Sequence, residues 1–314
     1  MKIIVTGGAG FIGTHVARAL IKEGHAVLVI DNFHPYYSVE RKKDHLAYIK
    51  EAGSFFFEQF DLRNEEKTLN CFQKFLPDAV IHLAALPGVR NSILHPEDYI
   101  DYDIKATVNV LKAAGETSVN HVLFASSSSV YGNIHPKPMK EDMANGQVIS
   151  PYAAAKYGAE SFCFAYEHLY GIQVTILRFF TVYGPWGRPD MAITKFLQKS
   201  LAGKAIELYG TNSARDYTYI DDAVEGILRA LTYNKKSDVF NIGSSQPIPL
   251  LEVVKEMKQF FPEMKFVETK RQLGDVAWTW ADITKAKKLL GFEPKTTFQE
   301  GLRKTVEWAK AYAK

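Results

Sequence analysis

Tyr152 and Lys156 stand four residues apart in "SPYAAAKYGAE" (Ser150 to Glu160). On a helix that spacing puts both side chains on one face. A phenol with its ordinary pKa of ~10 is a poor base near neutrality. An adjacent ammonium favours the phenolate and makes it a usable acid/base. Such pairs are common on helices, so a third group is needed. The run "ASSSSVYG" (Ala125 to Gly132) supplies it. A hydroxyl from Ser127 or Ser129 can hold the oxygen whose proton Tyr152 moves, and a serine-rich turn alone would not predict a Tyr-x-x-x-Lys helix in the next segment.

Positioning these groups requires a helix after a buried strand. Ser150 suits an N-cap and Pro151 a first helical position. The runs "KIIVT", "AVLVID", "FFFEQFD", "AVIHLAA", "HVLFASS" and "VTILRFF" read as fully buried parallel strands. Helical patterns alternate with them, among them Gly10 to Glu23, Pro96 to Ala114 and Pro151 to Tyr170. This rhythm predicts an α/β fold with a Rossmann-type doubly wound parallel sheet. "ASSSSVYG" then falls at the carboxyl edge of the fifth strand, where such sheets bind ligands. After Phe180 the rhythm breaks. The short run "AIELYG" and helices at Asp221 to Thr232, Pro249 to Phe261 and Thr297 to Ala313 suggest a smaller mixed α/β substrate lobe. The expected division is 1–180 and 181–314, with part of 214–242 returning to the first lobe.

"TGGAGFIG" joins the first strand to the first helix. Its glycines Gly7, Gly10 and Gly13 run G-x-x-G-x-x-G rather than G-x-G-x-x-G, but their steric work is the same. Gly7 allows the tight turn, Gly10 admits a pyrophosphate to the helix N-terminus, and Gly13 lets helix and strand pack closely. Asp31, ending the second strand, suits both hydroxyls of an adenosine ribose and would repel a 2′-phosphate. That favours NAD over NADP. Asp61, ending the third strand before Leu62, suits the adenine amino group; a helix N-cap is the competing reading.

Composition limits the alternatives. A chain of 314 residues, 46% hydrophobic and 23% charged, can bury a full core. Net charge +3, with no basic run interleaved with aromatics, argues against nucleic acid. There is no membrane-spanning apolar run, and "MKIIVTGGAG" does not read as a signal peptide. Cys71 and Cys163 lie far apart without ligand-spaced histidines, as core thiols in a reducing cytoplasm would. No metal site is expected.

Taken together, "TGGAGFIG", "HLAAL", "SSSSVYG", "PYAAAK", "RDYTYIDD", "FNIG" and "GDVAWTWADITKA" resemble the extended short-chain dehydrogenases/reductases, in their nucleotide-sugar epimerase and dehydratase branch. The resemblance runs nearly end to end. It implies NAD in the N-terminal lobe, a nucleoside diphosphate sugar in the C-terminal lobe, and a homodimer built on helices 96–114 and 151–170. By motif it makes Tyr152 the acid/base, Lys156 its electrostatic partner and Ser127 the hydroxyl four before Tyr131. Phe11, Ile12, Asn32, Leu83, Ala84 and Ala85 join the cofactor wall. Arg215 and Arg271 become diphosphate contacts, Asp275 suits the nucleotide ribose, and Arg90 and Tyr209 line the substrate side. One departure stands out: Asp103 occupies a position where the family usually has asparagine.

Within this family three reactions begin alike: Tyr152 takes the proton from the sugar 4-hydroxyl while hydride passes from C4 to NAD. Epimerisation, dehydration and decarboxylation then diverge. In the dehydratases and decarboxylases the residue two before the "YG" tyrosine is glutamate; here it is Ser129, beside Ser128. Serine is a poor base or acid near neutral pH, which argues against dehydration and, less strongly, against decarboxylation. "TVYGPWGRPDMA" and "GVRNS" are similar to the UDP-glucuronate 4-epimerases. Thr181 stands where galactose epimerases carry asparagine. Arg188, Thr181, Ser128 and Ser129 then suit a sugar carboxylate; a brace for the loop is the rival role for Arg188. The alternatives are a UDP-glucuronate decarboxylase, a UDP-glucose-type epimerase and, remotely, a non-catalytic NAD-binding regulator.

Overall fold

Strands rich in Val, Ile and Leu bury both faces, so they stack centrally with helices on each side. The computed structural model describes residues 1–134, 137–233 and 236–312. In it, β1 (Lys2–Thr6), β2 (Ala26–Ile30), β3 (Phe56–Glu58), β4 (Ala79–His82), β5 (His121–Ser127) and β6 (Gln173–Phe179) enter one sheet. Next come β7 (Thr181–Tyr183), β8 (Ile206–Tyr209) and β9 (Ala214–Tyr219), and then β10 (Asp238–Ile242) returns to pair with β6. The seven-stranded order is β10-β6-β5-β4-β1-β2-β3, all parallel. The order reverses between β1 and β4, and a crevice opens there at the strands' carboxyl ends.

Alternate residues of β1 feed opposite cores. Ile3 and Val5 pack with α1 (Phe11–Lys22) and α2 (Val39–Lys50). Ile4 packs on the other face with α3 (Glu65–Phe75). Between β4 and β5 run α4 (Val89–Leu94), α5 (Pro96–Tyr99), a π-helical segment (Ile100–Lys105) and α6 (Ala106–Glu116). After α7 (Pro151–Tyr170) come α8 (Ala192–Leu201), α9 (Ile220–Leu231), α10 (Leu250–Lys258), α11 (Thr284–Leu290) and α12 (Phe298–Tyr312). Two small sheets complete the chain: β11 (Pro247–Pro249) with β9 and β7, and β12 (Phe266–Thr269) with β8. No described helix is long and apolar enough to cross a membrane.

Two expectations need correction. The third strand is short, and it is not buried: it forms the sheet edge with β2 alone as neighbour, and Phe56 is 61% exposed. Asp61 therefore lies three residues past the strand rather than ending it, and Asn64, not Asp61, caps α3 by accepting from Lys67 N. The helix expected over Pro96 to Ala114 is broken by the π-helical segment, whose wider turn carries the buried Asp103. The last helix ends at Tyr312 in the described chain; Ala313 lies outside the described residues.

Candidate active site

The β1–α1 turn is built by steric exclusion. Gly7 has φ +66°, and a Cβ on Gly13 would sit 2.4 Å from the Gly7 carbonyl oxygen. Gly10 starts α1 without any side-chain cap, so the helix's first N–H groups are left for a ligand. These residues line a cavity of about 770 Å³ that runs along the carboxyl edge of the sheet. Uncapped N–H groups, glycines with no room for a Cβ and a carboxylate at the end of β2 fit a dinucleotide.

That carboxylate, Asp31, is already engaged. Its oxygens accept from Ala9 N and Phe33 N, and Lys42 Nζ from α2 lies 3.6 Å away, buried with it. Burial lowers the Lys42 pKa, and Asp31 opposes that shift. Asp61 lines the same end of the cavity and accepts from Asn32 Nδ2 and from the Arg63 backbone and guanidinium. Burial would raise its pKa, but these bonds hold it below the ordinary carboxylate range. Leu62, Leu83, Ala84 and Ala85 add to the wall.

At the cavity's middle, Ser150 caps α7 by accepting from Ala153 N, and Pro151 occupies its first turn. Tyr152 and Lys156 both line the cavity from this helix, and Tyr99 packs edge-on against Tyr152 at 6.0 Å. Ser127 ends β5, and its hydroxyl accepts from Ser129 N at 3.2 Å and from Ser129 Oγ at 3.0 Å. A buried network fixes this turn relative to α7. Arg178 of β6 donates to both oxygens of Glu160 on α7 at 2.9 and 2.7 Å and to Tyr131 Oη at 3.2 Å. Ser126 Oγ donates to the same Glu160, and Tyr131 Oη to Asn241.

The far end holds the remaining candidates. Arg90 pairs with Asp275 at 3.1 Å and stacks over the Tyr209 ring at 4.5 Å; Arg215 donates to the Ala214 and Ala277 carbonyls. Thr181 and Ser128 also line the cavity. Arg271 does not: it packs beside Gly210, outside the lining residues. Arg188 does line the cavity, but its Nε and Nη2 donate to the two oxygens of Asp190 at 3.0 and 2.8 Å. Its loop is held firmly. Trp186, at φ +63°, is wedged against His45, Tyr48, Trp308 and Tyr312 with ring centroids 4.6 to 5.5 Å away. Arg41 donates to the Gly187 carbonyl at 2.6 Å.

Sequence reading missed Lys42, Asp190 and Tyr36, whose hydroxyl on the cavity wall donates to Asp190 at 3.3 Å. Lys42 sits in the polar run "ERKKDH", where nothing distinguishes it from a solvated helix face. Asp190 was within a quoted motif, and its two-residue spacing from Arg188 was the available signal. Among the described residues no cluster of side chains could hold a metal ion.

A model of the NAD-dependent epimerase/dehydratase family matches residues 3–243. The chain belongs to that family. NAD is accordingly its cofactor, and the sheet is the family's Rossmann-like frame. A UDP-glucuronate 4-epimerase from Thermodesulfobacterium geofontis is 40% identical over 98% of this chain and 95% of its own. A solved UDP-glucuronic acid 4-epimerase from Bacillus cereus, in complex with UDP-glucuronic acid and NAD, is 33% identical with TM-score 0.93, covering 99% of this chain and all of the other. A UDP-glucose 4-epimerase from Thermotoga maritima, solved with UDP-glucose, is 31% identical with TM-score 0.91 over both whole chains. This member of the family is thus similar to epimerases of both sugars.

Proposed function

We propose that this chain interconverts UDP-glucuronate and UDP-galacturonate by epimerisation at C4. The carrying observation is the single cavity in which Tyr152, Lys156 and Ser127 meet Ser128, Ser129, Thr181 and Arg188. Residues 1–180, with β10, form the NAD lobe, and 181–314 supply most of the sugar-nucleotide contacts. NAD supplies a reversible hydride acceptor for C4. Tyr152 takes the O4 proton and later returns it, Lys156 places positive charge beside the phenolate, and Ser127 holds the reacting oxygen. Arg90, Tyr209, Arg215 and Asp275 face the nucleotide diphosphate. Arg271 reaches it only if its segment moves inward.

The carboxylates lining the cavity support epimerisation over dehydration. Asp31 faces Lys42, Asp61 faces Arg63, Asp190 faces Arg188, Asp275 faces Arg90 and Glu207 faces Lys199. None is left as a free acid or base for water loss. The sugar carboxylate raises a different problem, because a ketone at C4 turns the substrate into a β-keto acid prone to losing CO2. Thr181, Ser128, Ser129 and the Nη1 side of Arg188 hold that carboxylate. Polar contacts keep charge on it and oppose the alignment that lets the C5–C6 bond break.

A homodimer in the cytoplasm completes the reading. Ile100 on the π segment and Phe162, Phe164, Leu169 and Tyr170 on α7 are exposed apolar groups on the two helical regions assigned to the partner.

The test is incubation with UDP-glucuronate followed by mass-resolved chromatography. A product of equal mass supports the epimerase, and loss of CO2 means a decarboxylase. UDP-glucose turned over better than UDP-glucuronate would make the chain a UDP-glucose-type epimerase. Arg188→Ala and Thr181→Ala are expected to slow epimerisation and raise the ratio of pentose to epimer; an unchanged ratio would move the guarding role elsewhere.

A further inference from the structure

Asp103 is the least satisfied charged group near the candidate base. It lies on the π segment, 1% exposed. One oxygen, Oδ1, accepts from Leu86 N at 2.7 Å. The other, Oδ2, has no hydrogen-bond partner among the described residues and lies 3.8 Å from Lys156 Nζ. Lys156 is itself buried, donates to no described residue, and sits one helical turn after Tyr152. The ammonium therefore has a carboxyl group 3.8 Å away and shares a helical face with a tyrosine on the cavity wall.

The other titratable groups around this pair are weak competitors. Tyr99 of α5 and Tyr152 of α7 are phenols, burial keeps His82 of β4 neutral and Cys163 of α7 a thiol, and the buried Glu160 of α7 is held by Arg178. Asp101 and Lys105, on the π segment itself, face outward and are exposed. Burial pushes the Asp103 carboxyl up to about 6, with Lys156 and the Leu86 N–H opposing the rise. Its charge then changes within the range where enzymes of this kind are assayed.

We propose that Asp103 is a positioning residue that sets how much of the Lys156 charge reaches Tyr152: as a carboxylate it offsets that charge, and as a carboxylic acid it releases it. The proposal rests on Tyr152 being the base, as read above. The sign follows from Coulomb's law at short range in a poorly solvated site. Above the titration of Asp103, a negative group behind Lys156 weakens its support for the phenolate. Below it the support returns. Activity should then fall more gently on the acid side than one ionisation would allow.

The test uses the NAD-loaded chain and Asp103→Asn, which is nearly isosteric and keeps an acceptor for Leu86 N–H. Tyrosinate absorbance is followed against pH, with the matching Tyr152→Phe variant subtracted in each case. In Asp103→Asn the Tyr152 signal is expected ~0.5–1 pH unit lower, a reduced form of the effect of a charge in direct contact. No shift, or a shift to higher pH, overturns the proposal. On UDP-glucuronate the variant is expected to be ~3–10-fold faster than wild type at pH 7 and about equal at pH 5, the same shift read as rate. A ratio independent of pH would mean a purely structural role. Thermal melting gives a reading without catalysis: Asp103→Asn should gain stability over wild type as pH rises from about 4 to 6 and keep that gain above 6, and a gap constant from pH 4 to 8 would show that Asp103 ionises alike in the folded and unfolded chain. If wild type fails to turn over UDP-glucuronate, the substrate reading falls, and the absorbance and melting curves still decide Asp103.

Discussion

Lys42 changes what Asp31 can do to a cofactor's ribose. Read alone, Asp31 is a repulsive charge that excludes a 2′-phosphate. Beside a buried ammonium 3.6 Å away it is half of a pair, and removing it exposes the other half. Asp31→Ala is therefore expected to do more than remove repulsion. Freed Lys42 becomes a phosphate ligand, and the preference for NAD should narrow by at least ~10-fold, about 1.4 kcal/mol. Calorimetry on stripped protein measures both affinities, and Asp31→Ala/Lys42→Ala should lose the gain in NADP binding. Equal affinities in the unmodified protein would contradict the role given to Asp31. Single residues were legible where chemistry is local: the Tyr152–Lys156 spacing and the glycines of "TGGAGFIG". Lys42 with Asp31, and Asp103 with Lys156, are pairs made by the fold, and neither partner's neighbours in sequence announce the other.

Elements were legible where their ends carry caps. Ser150 and Pro151 mark the start of α7, and the alternation of strand and helix gave the doubly wound sheet. The π segment was invisible because "YIDYDIKATVNVL" keeps an apolar spacing that an uninterrupted helix also satisfies. The exposed third strand was misread for a related reason: aromatic residues at a sheet edge look like those at its centre. What holds α7 and the serine turn together is more specific than either pattern. Glu160 on α7 and Arg178 on β6, both almost fully buried, join the tyrosine helix to the serine turn through Ser126 and Tyr131. Glu160→Gln would leave a buried guanidinium unpaired and is expected to destabilise the fold by ~3–5 kcal/mol. Replacing both partners by apolar residues of similar size should cost less than the single change. Urea denaturation of both variants measures this; equal losses in the single and double variants would mean that packing, not charge, dominates.

At the scale of the molecule, buried histidines govern the acid limit. Burial pulls His15, His45 and His121 down to about 4 and His82 to about 3. Their folded values lie below the unfolded ~6.5, so the unfolded chain binds protons first. The stability they contribute is present above about pH 6.5 and is lost as pH falls through about 4. Each supplies a slope of about 1.4 kcal/mol per pH unit inside that window. Asp103 works in the opposite sense, losing stability as pH rises from about 4 through 6. Chemical denaturation across pH 4–8 should show a net decline on the acid side, flattened in His45→Gln if that variant folds. A flat profile would mean the histidines titrate alike in both states. The aromatic wedge around Trp186 joins parts of the chain far apart in sequence, from His45 to Tyr312. Trp308 and Tyr312 leave the ribosome after every other residue the site uses, yet they clamp the loop that carries Arg188. A growing chain can thus make its glycine turn and serine loop well before α12, and until α12 docks the loop carrying Arg188 lacks its aromatic clamp.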